Sequence, residues 1–260
     1  MIPLRPGRPC PLLPPLSPRG RRSDAALCCA DLQTEGQGHD RHRQCPRNMI
    51  FNGDCIDVMQ AFDTGSVDMI LTDPPYVTNY RDRQGRSVAN DDNGRWLKPA
   101  FAEMHRVLKD GVFEVSFYGW NKVDLFMEAW RAAGFRIVGH LGFRKRYASS
   151  SWFLRYEHEQ AYLLAKGNPK VPARVIPDVI DFPYSRNRLH PTQKPVEALR
   201  PLIEAFSRPG ELVLDPFSGS GSTLAAAQAL GRDWVGIELD NGHYHTATRR
   251  LVEANRSAAA

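Results

Sequence analysis

Four consecutive residues, Asp73-Pro74-Pro75-Tyr76, follow an apolar run and combine a carboxylate, two rigid prolines and a phenol ring. Proline has no backbone N–H and a fixed φ, so the neighbouring carbonyls can face a ligand instead of a strand. A carboxylate and a carbonyl placed side by side would accept both hydrogens of a planar amino group, and Tyr76 could stack on the ring that carries the amine. A plain strand-ending turn would have the same sequence, so the motif alone leaves both interpretations open.

A second motif lies in "LVLDPFSGSGSTLAAAQALGRDWVGIELD", where a predicted strand ends at Asp215 and a second strand ends 23 residues later at Glu238. A glycine-rich loop and a helix lie between them, which is the layout of a nucleoside-binding βαβ unit. A carboxylate at the second strand end can accept both ribose hydroxyls. The loop does not match G-x-G-x-x-G and no G-K-[ST] follows, so dinucleotide and triphosphate binding are less favoured. The candidate cofactor residues are Asp215, Phe217, Ser218, Gly219, Ser220, Gly221, Ser222, Thr223 and Glu238.

The elements that must position these motifs alternate between strand and helix from Met49 onward. Short apolar runs such as "VDMILT" and "ELVLD" predict buried strands, and amphipathic segments such as "KVDLFMEAWRAAG" predict helices. We expect a helix over 195–206, with Pro195 near its start, and a last helix over 241–255. This alternation predicts an α/β domain with a mainly parallel, doubly wound sheet.

Together the motifs resemble the β class of DNA amino-methyltransferases, the N6-adenine and N4-cytosine family that uses S-adenosylmethionine. The resemblance covers residues 49–255 and rests on "DPPY", on "FSGSGST" and on "HPTQKP" at 190–195. The catalytic motif precedes the cofactor motif, as in the β class, where the methyltransferase fold is circularly permuted. Permutation of this kind is physically mild, because domain termini often lie close together.

The resemblance implies roles for further residues. His190, Thr192 and Lys194 would help to hold the methionine part of the cofactor, and "NGD" would bring Asp54 to its adenine, although such triplets are usually plain turns. Asp73 would also border the cofactor.

The chemistry implied is methyl transfer to an exocyclic amine of a base that is flipped out of duplex DNA. Asp73 and the Pro74 carbonyl would accept the two amine hydrogens, with Pro75 and Tyr76 completing the catalytic motif, and no catalytic cysteine is needed. Asp in the first motif position favours adenine N6, and N4 of cytosine is the alternative. A protein glutamine methyltransferase and a non-catalytic DNA-binding protein are further alternatives, which the motif order and the intact motifs respectively disfavour.

Candidate DNA contacts come from three basic segments. "FRKRYASSSWFLRYEHE" interleaves basic and aromatic residues, a pattern that suits phosphate contact and base stacking but also a solvated rim beside a core strand. The polar stretch 77–95 is predicted to be a mobile loop that closes over the flipped base. The proline-rich stretch 166–189 is predicted to be a second long loop and a short candidate target-recognition region. The basic candidates are Arg81, Arg83, Arg86, Arg144, Lys145, Arg146, Arg155, Arg186 and Arg188.

The composition separates the first 48 residues from the rest. They contain eight of the arginines, no lysine and four of the five cysteines, whereas the whole chain has a formal charge of only +5. We expect residues 1–48 to be a disordered extension, with Met49 as the natural start and 49–260 as the methyltransferase domain. The remainder is almost neutral, so a DNA surface must be a local patch.

The hydropathy and the motifs also predict where the protein is located and what it binds. No apolar run is long enough to cross a membrane, so we expect a cytoplasmic protein with no membrane partner and no metal site. The expected cofactor is S-adenosyl-L-methionine and the expected partner is double-stranded DNA. A homodimer and a cognate restriction endonuclease are both left open.

Overall fold

The computed structural model of the 260-residue chain describes residues 45–79, 90–150, 153–184, 189 and 193–258. Within these residues, eight strands alternate with six α-helices and one short 3-10 helix, Trp120–Lys122. The strands are β1 (Met49–Asn52), β2 (Met69–Thr72), β3 (Phe113–Phe117), β4 (Arg136–Ser150), β5 (Arg155–Ala165), β6 (Val179–Phe182), β7 (Leu212–Asp215) and β8 (Asp233–Glu238). The helices are α1 (Cys55–Gln60), α2 (Leu97–Val107), α3 (Val123–Ala133), α4 (Val196–Phe206), α5 (Ser222–Ala229) and α6 (Asn241–Ala258).

The strands form one sheet in the order β1-β8-β7-β2-β3-β5-β4-β6. Every pairing is parallel except those of β5, which runs antiparallel to β3 and to β4. The two strands β7 and β8, from the C-terminal part of the chain, lie between β1 and β2 from its beginning. The prediction of a mainly parallel α/β sheet is confirmed, and the strand order agrees with a circularly permuted chain.

Helices cover both faces of the sheet. Apolar side chains of α1, α2 and α3 form one buried cluster with the sheet, and those of α4, α5 and α6 form a second cluster on the opposite face. Strands β2 and β7 are buried along their whole length, as expected for parallel strands that are covered on both sides. Helix α3 ends where Gly134 adopts a left-handed conformation with φ of 99°, the residue at which the sequence predicted its end.

Two parts of the predicted organisation were wrong. The stretch 166–189 was expected to be a loop, but it contains β6, which pairs in parallel with β4 and extends the sheet. Residues 45–48 were assigned to the disordered extension, but Cys45 is buried in the first apolar cluster and Asn48 bonds to Asp233. Residues 1–44 lie outside the described part of the chain.

No helix among the described residues is long and apolar enough to cross a membrane.

Glu114 is a carboxyl group in the middle of this core. It lies on β3 between Ile70 of β2 and Leu164 of β5, its side chain is fully buried, and neither carboxyl oxygen has a hydrogen-bond partner in the described structure. Burial raises the pKa of Glu114 well above its ordinary value, because a charge is poorly solvated there. The native protein therefore holds this side chain in its neutral form.

We predict that Glu114→Gln reduces the pH dependence of stability. The unfolded chain releases the Glu114 proton above about pH 4.5, but the native state keeps it, so this group destabilises the wild type as the pH rises. The loss is about 1.4 kcal/mol per pH unit until the native group ionises. Urea unfolding between pH 5.5 and 8 measures it, and Glu128→Gln, at an exposed ion pair, is the control. Parallel curves for the wild type and Glu114→Gln would contradict the prediction.

Candidate active site

The carboxyl ends of the central parallel strands meet at one edge of the sheet, and the two predicted motifs lie there together. Asp73 follows β2, and Asp215 ends the neighbouring strand β7. Glu238 ends β8 on the other side of β7. All three acids line one cavity, as do residues 216–220 of the glycine-rich loop.

The catalytic turn is held by contacts on both sides of Tyr76. The Tyr76 hydroxyl donates a hydrogen bond of 2.8 Å to Asp73 Oδ1. Two residues after β3, a Cβ added to Gly119 would lie 2.9 Å from the Tyr76 Cβ and 3.0 Å from the Tyr76 carbonyl oxygen, so only glycine fits against Tyr76. Burial is the main reason that the pKa of Tyr76 is raised well above its ordinary value, which keeps the phenol protonated as a donor. Val77, the next residue, has φ of 58°, a conformation that is costly for a β-branched side chain.

Lys194 forms an ion pair with the catalytic Asp73. Its Nζ donates to Asp73 Oδ2 at 2.6 Å and to the Tyr76 hydroxyl at 3.2 Å, and the residue is only 8% exposed. The ammonium also lies 4.9 Å from the centre of the Phe117 ring. The resemblance placed Lys194 at the methionine part of the cofactor, whereas its ammonium is bonded to the catalytic carboxylate. His190 and Thr192, predicted from the same motif, lie outside the described residues.

Two effects act on the Asp73 carboxyl in opposite directions. Burial raises its pKa, and the Lys194 ammonium together with the Tyr76 hydroxyl opposes that rise. The balance leaves the pKa of Asp73 above its ordinary value, so the charge on this carboxylate depends on its lysine partner.

The glycine-rich loop turns tightly between β7 and α5. Gly219 and Gly221 have φ of 51° and 75°, and a Cβ on Gly221 would lie 3.2 Å from the Ala247 Cβ of α6. The left-handed backbone and the close approach to α6 both require glycine at position 221. Ser222 and Thr223 begin α5 and are buried beneath the loop. Ser220 also lines the cavity.

Arg250 of α6 supports this loop and was missed by the sequence reasoning. Its Nη1 donates to the Ser220 carbonyl at 3.1 Å and to Ser222 Oγ at 3.0 Å. Burial lowers the pKa of Arg250 from its ordinary high value. The sequence offered no signal for this contact, because Arg250 lies in an ordinary amphipathic helix.

Glu238 already has two backbone partners. Its Oε2 accepts from the Gly219 N–H at 2.7 Å, and its Oε1 accepts from the Asp240 N–H at 2.8 Å. Each carboxylate oxygen has a further lone pair, so a pair of ribose hydroxyls can still be accepted. Asp54 also lines the cavity, but its Oδ1 caps α1 by accepting from the Ile56 N–H at 2.8 Å.

An aromatic pair forms an apolar wall of the cavity. The rings of Trp96 and Phe217 are 5.0 Å apart and are inclined by 60°. Phe217 was predicted from the loop motif, whereas Trp96 was missed because it lies 121 positions earlier in the chain. The Trp96 Nε1 donates to the Asn90 carbonyl, which helps to fix the orientation of the indole.

The cavity fits the predicted nucleoside cofactor. It combines the aromatic wall with the Glu238 carboxylate and the glycine-rich loop, and the buried Ser218 Oγ has no partner in the described structure. Asp215 is 3% exposed, and burial raises its pKa to about 7. A ligand with polar hydroxyls, a flat ring and positive charge would satisfy all of these groups.

The described residues of the predicted basic and aromatic segment lie in and beside β4 and β5, at the end of these strands that extends past the carboxyl end of β3. Arg144 and Arg146 are exposed and share Asp181 of β6 as their ion-pair partner, and Arg155 is exposed and pairs with Glu157. Lys145 does not fit the prediction of a phosphate contact, because its side chain is only 9% exposed and is bonded to Glu159. The remaining predicted DNA contacts, Arg81, Arg83, Arg86, Arg186 and Arg188, lie outside the described residues.

An aromatic pair extends this edge, in which Tyr156 belongs to the predicted basic and aromatic segment and Trp120 was not predicted from the sequence. Trp120 follows the glycine that packs on Tyr76, and its side chain is 59% exposed. Its ring lies 6.0 Å from that of Tyr156 on β5, with 31° between the planes.

Comparison with known proteins agrees with this site. A protein-family model described as "DNA methylase" matches residues 67–249, which include both motifs. The chain therefore belongs to the family of N6-adenine and N4-cytosine DNA methyltransferases, and it is a DNA methylase by fold, motif order and site.

Several individual relatives match most of this chain. YubD of Escherichia coli strain K12, which is named as a methylase, is 53% identical over 208 residues, covering 80% of this chain and 92% of YubD. The DNA adenine methyltransferase YhdJ of the same strain is 30% identical, covering 81% of this chain and 84% of YhdJ. The type II methyltransferase M2.MboI of Moraxella bovis is 26% identical over 78% of this chain and 87% of its own length.

Solved structures share the fold. The complex of M1.HpyAVI with S-adenosylmethionine superposes with a TM-score of 0.63 at 23% identity, covering 78% of this chain and 98% of that one. The PvuII cytosine-N4 methyltransferase gives a TM-score of 0.64 at 15% identity, covering 82% of this chain and 93% of that one.

Proposed function

We propose that this enzyme transfers a methyl group from S-adenosylmethionine to the N6 amine of adenine in a base flipped out of duplex DNA. The observation that supports it most directly is the largely buried Asp73 carboxylate, which lies at the same cavity as the glycine-rich loop and already binds a nitrogen donor at 2.6 Å. The relative YhdJ, named as a DNA adenine methyltransferase, supports adenine as the base.

Asp73 and the Pro74 carbonyl would bind the two hydrogens of the target amine. The amine is a weak nucleophile because its lone pair is delocalised into the ring. Two fixed acceptors favour a geometry nearer to sp³, in which the lone pair is localised on the nitrogen. Pro75 stiffens the turn, and no covalent enzyme intermediate is required. Positioning and preorganised electrostatics then supply most of the rate.

Tyr76 would contact the flipped base through its ring. Its hydroxyl is engaged by Asp73 and Gly119 packs closely against its Cβ, so the ring is held in one orientation. Stacking on such a ring contributes about 1–3 kcal/mol per base, which offsets part of the cost of flipping.

The cofactor would be held by the residues that build the cavity. Glu238 would bind the ribose hydroxyls, Trp96 and Phe217 would contact the adenine ring, and Asp215 would face the positive end of the ligand. When bound, S-adenosylmethionine supplies the methyl group on a positively charged sulfur.

The N4 amine of cytosine is the second candidate acceptor. The PvuII cytosine-N4 enzyme has the same fold, and either amine presents two hydrogens to the same pair of acceptors. A homodimer and a cognate endonuclease are both still open.

We predict that Asp73→Ala lowers methyl transfer to DNA by at least about a hundredfold, because one of the two amine acceptors is removed. Transfer of tritiated methyl groups to plasmid DNA measures the rate, and digestion to nucleosides distinguishes N6-methyladenine from N4-methylcytosine. Asp57→Ala on the exposed face of α1 is the control. Cofactor affinity should change little in either variant. A near-wild-type rate in Asp73→Ala would overturn the assignment.

We also predict that cofactor binding strengthens as the pH rises through about 7. Burial raises the pKa of Asp215 to about 7, and a cationic ligand binds better once that carboxyl is ionised. Below that value, affinity should fall by up to tenfold per pH unit. Calorimetric titration between pH 5.5 and 8.5 checks this, and Asp215→Asn should bind more weakly with a flatter profile. An unchanged profile in Asp215→Asn would place the titrating group elsewhere.

The exposed Trp120 ring generates a prediction about DNA. Trp120 follows Gly119, which packs on Tyr76, and we expect its ring to stack on a base of the bound strand. Trp120→Ala should weaken DNA binding roughly 5- to 150-fold, the equivalent of about 1–3 kcal/mol for one stacked base. Fluorescence anisotropy with a labelled random-sequence duplex measures it. Val138→Ala, exposed near the amino end of β4, is the control, and equal affinities of the two variants would refute the contact.

A further inference from the structure

The ammonium of Lys194 lies where a nitrogen donor to Asp73 is needed in the proposed reaction. Lys194 Nζ and a target amine are both N–H donors, and both would be placed at the Asp73 carboxylate. The ammonium is 2.6 Å from Asp73 Oδ2, is bonded to the Tyr76 hydroxyl, and lies over the Phe117 ring in an almost fully buried position. A flipped base and this side chain would therefore compete for the same space.

The charges that face Asp73 explain why a cation lies there. Glu159 of β5 and Asp215 of β7 are both close enough to act on this region electrostatically. Glu159 has its own partner in Lys145, and Tyr76 contributes a hydroxyl dipole but no charge. Among the described residues, Lys194 is the cation that is bonded to Asp73 itself.

The Lys194 side chain can move while its backbone stays in place. Its backbone precedes Pro195, the residue that caps the start of α4, so the main chain is anchored to a helix. The side chain reaches Asp73 through four flexible methylene groups. Withdrawal of the ammonium therefore requires side-chain rotation and leaves the sheet and α4 unchanged.

We propose that Lys194 is a positioning residue that keeps Asp73 ionised before DNA binds and yields its place on the carboxylate to the target amine. This inference rests on the proposed function. A protonated Asp73 would offer fewer acceptor sites for the amine hydrogens. A cation beside this carboxyl group keeps it ionised until the amine binds. The exchange of one nitrogen donor for another leaves the Asp73 carboxylate hydrogen-bonded throughout.

The first test measures Asp73 directly and needs no DNA. Protein labelled with ¹³C at the aspartate carboxyls is titrated by NMR, and the Asp73 signal is identified by its loss in Asp73→Asn. In Lys194→Met the Asp73 midpoint should move to higher pH, and Lys194→Arg should stay near the wild type. Lys98→Met, at an exposed ion pair, is the control. An unchanged midpoint in Lys194→Met would overturn the proposal, and Lys194→Gln provides a polar variant if the methionine variant does not fold.

The second test separates positioning from a purely structural role. The acid limb of kcat/KM for DNA should move to higher pH in Lys194→Met, so that kcat/KM below the limb falls tenfold for each pH unit that the limb moves. At high pH, where Asp73 is ionised in both proteins, KM for DNA should equal or fall below that of the wild type, because the competing ammonium is gone. A loss of rate by the same factor at every pH, or a higher KM at high pH, would overturn the proposal.

The two tests distinguish the failure of this proposal from the failure of the proposed function. If the wild-type enzyme transfers no methyl group to DNA, the proposed function fails. The NMR titration still reports whether Lys194 sets the ionisation of Asp73.

Discussion

The parallel pairing of β2 with β7 is the constraint on which the rest of the site depends. These two strands come from opposite parts of the chain, yet they are neighbours in the centre of the sheet. Parallel neighbours end at the same edge, so the turn after β2 and the loop after β7 must face each other. Catalytic and cofactor motifs separated by more than 130 residues therefore line one cavity.

This arrangement concentrates carboxyl groups at one largely buried site. Asp73 and Asp215 both have raised pKa values because of burial, and Glu238 has a raised pKa for the same reason. Buried carboxylates are costly unless they are paired or hydrogen-bonded. Lys194 stabilises Asp73, backbone N–H groups stabilise Glu238, and a cationic ligand would stabilise Asp215. The electrostatics of the site thus favour a positively charged cofactor.

Local signals explain which parts of the protein could be predicted from its sequence. The alternation of strands and helices, the end of α3 at Gly134 and the glycine-rich loop all depend on residues close together in the chain. The positions of Trp96, Arg250 and the Lys194 ammonium depend on tertiary packing between distant segments, and one sequence contains no direct signal for such contacts. Strand β6 was missed because its four residues lie in a proline-rich, basic stretch whose composition is typical of loops.

Charge balance also limits how this protein can hold DNA. Of the basic residues on β4, Lys145 is paired with Glu159, and Arg144 and Arg146 share Asp181. A phosphate must therefore compete with an aspartate for these arginines, which reduces the gain from each contact. Exposed aromatic surface does not have this cost, because no acidic partner has to be displaced before a base stacks on it. On an almost neutral domain, we therefore expect base stacking near the catalytic edge to contribute a larger share of the DNA affinity than it would on a strongly basic one.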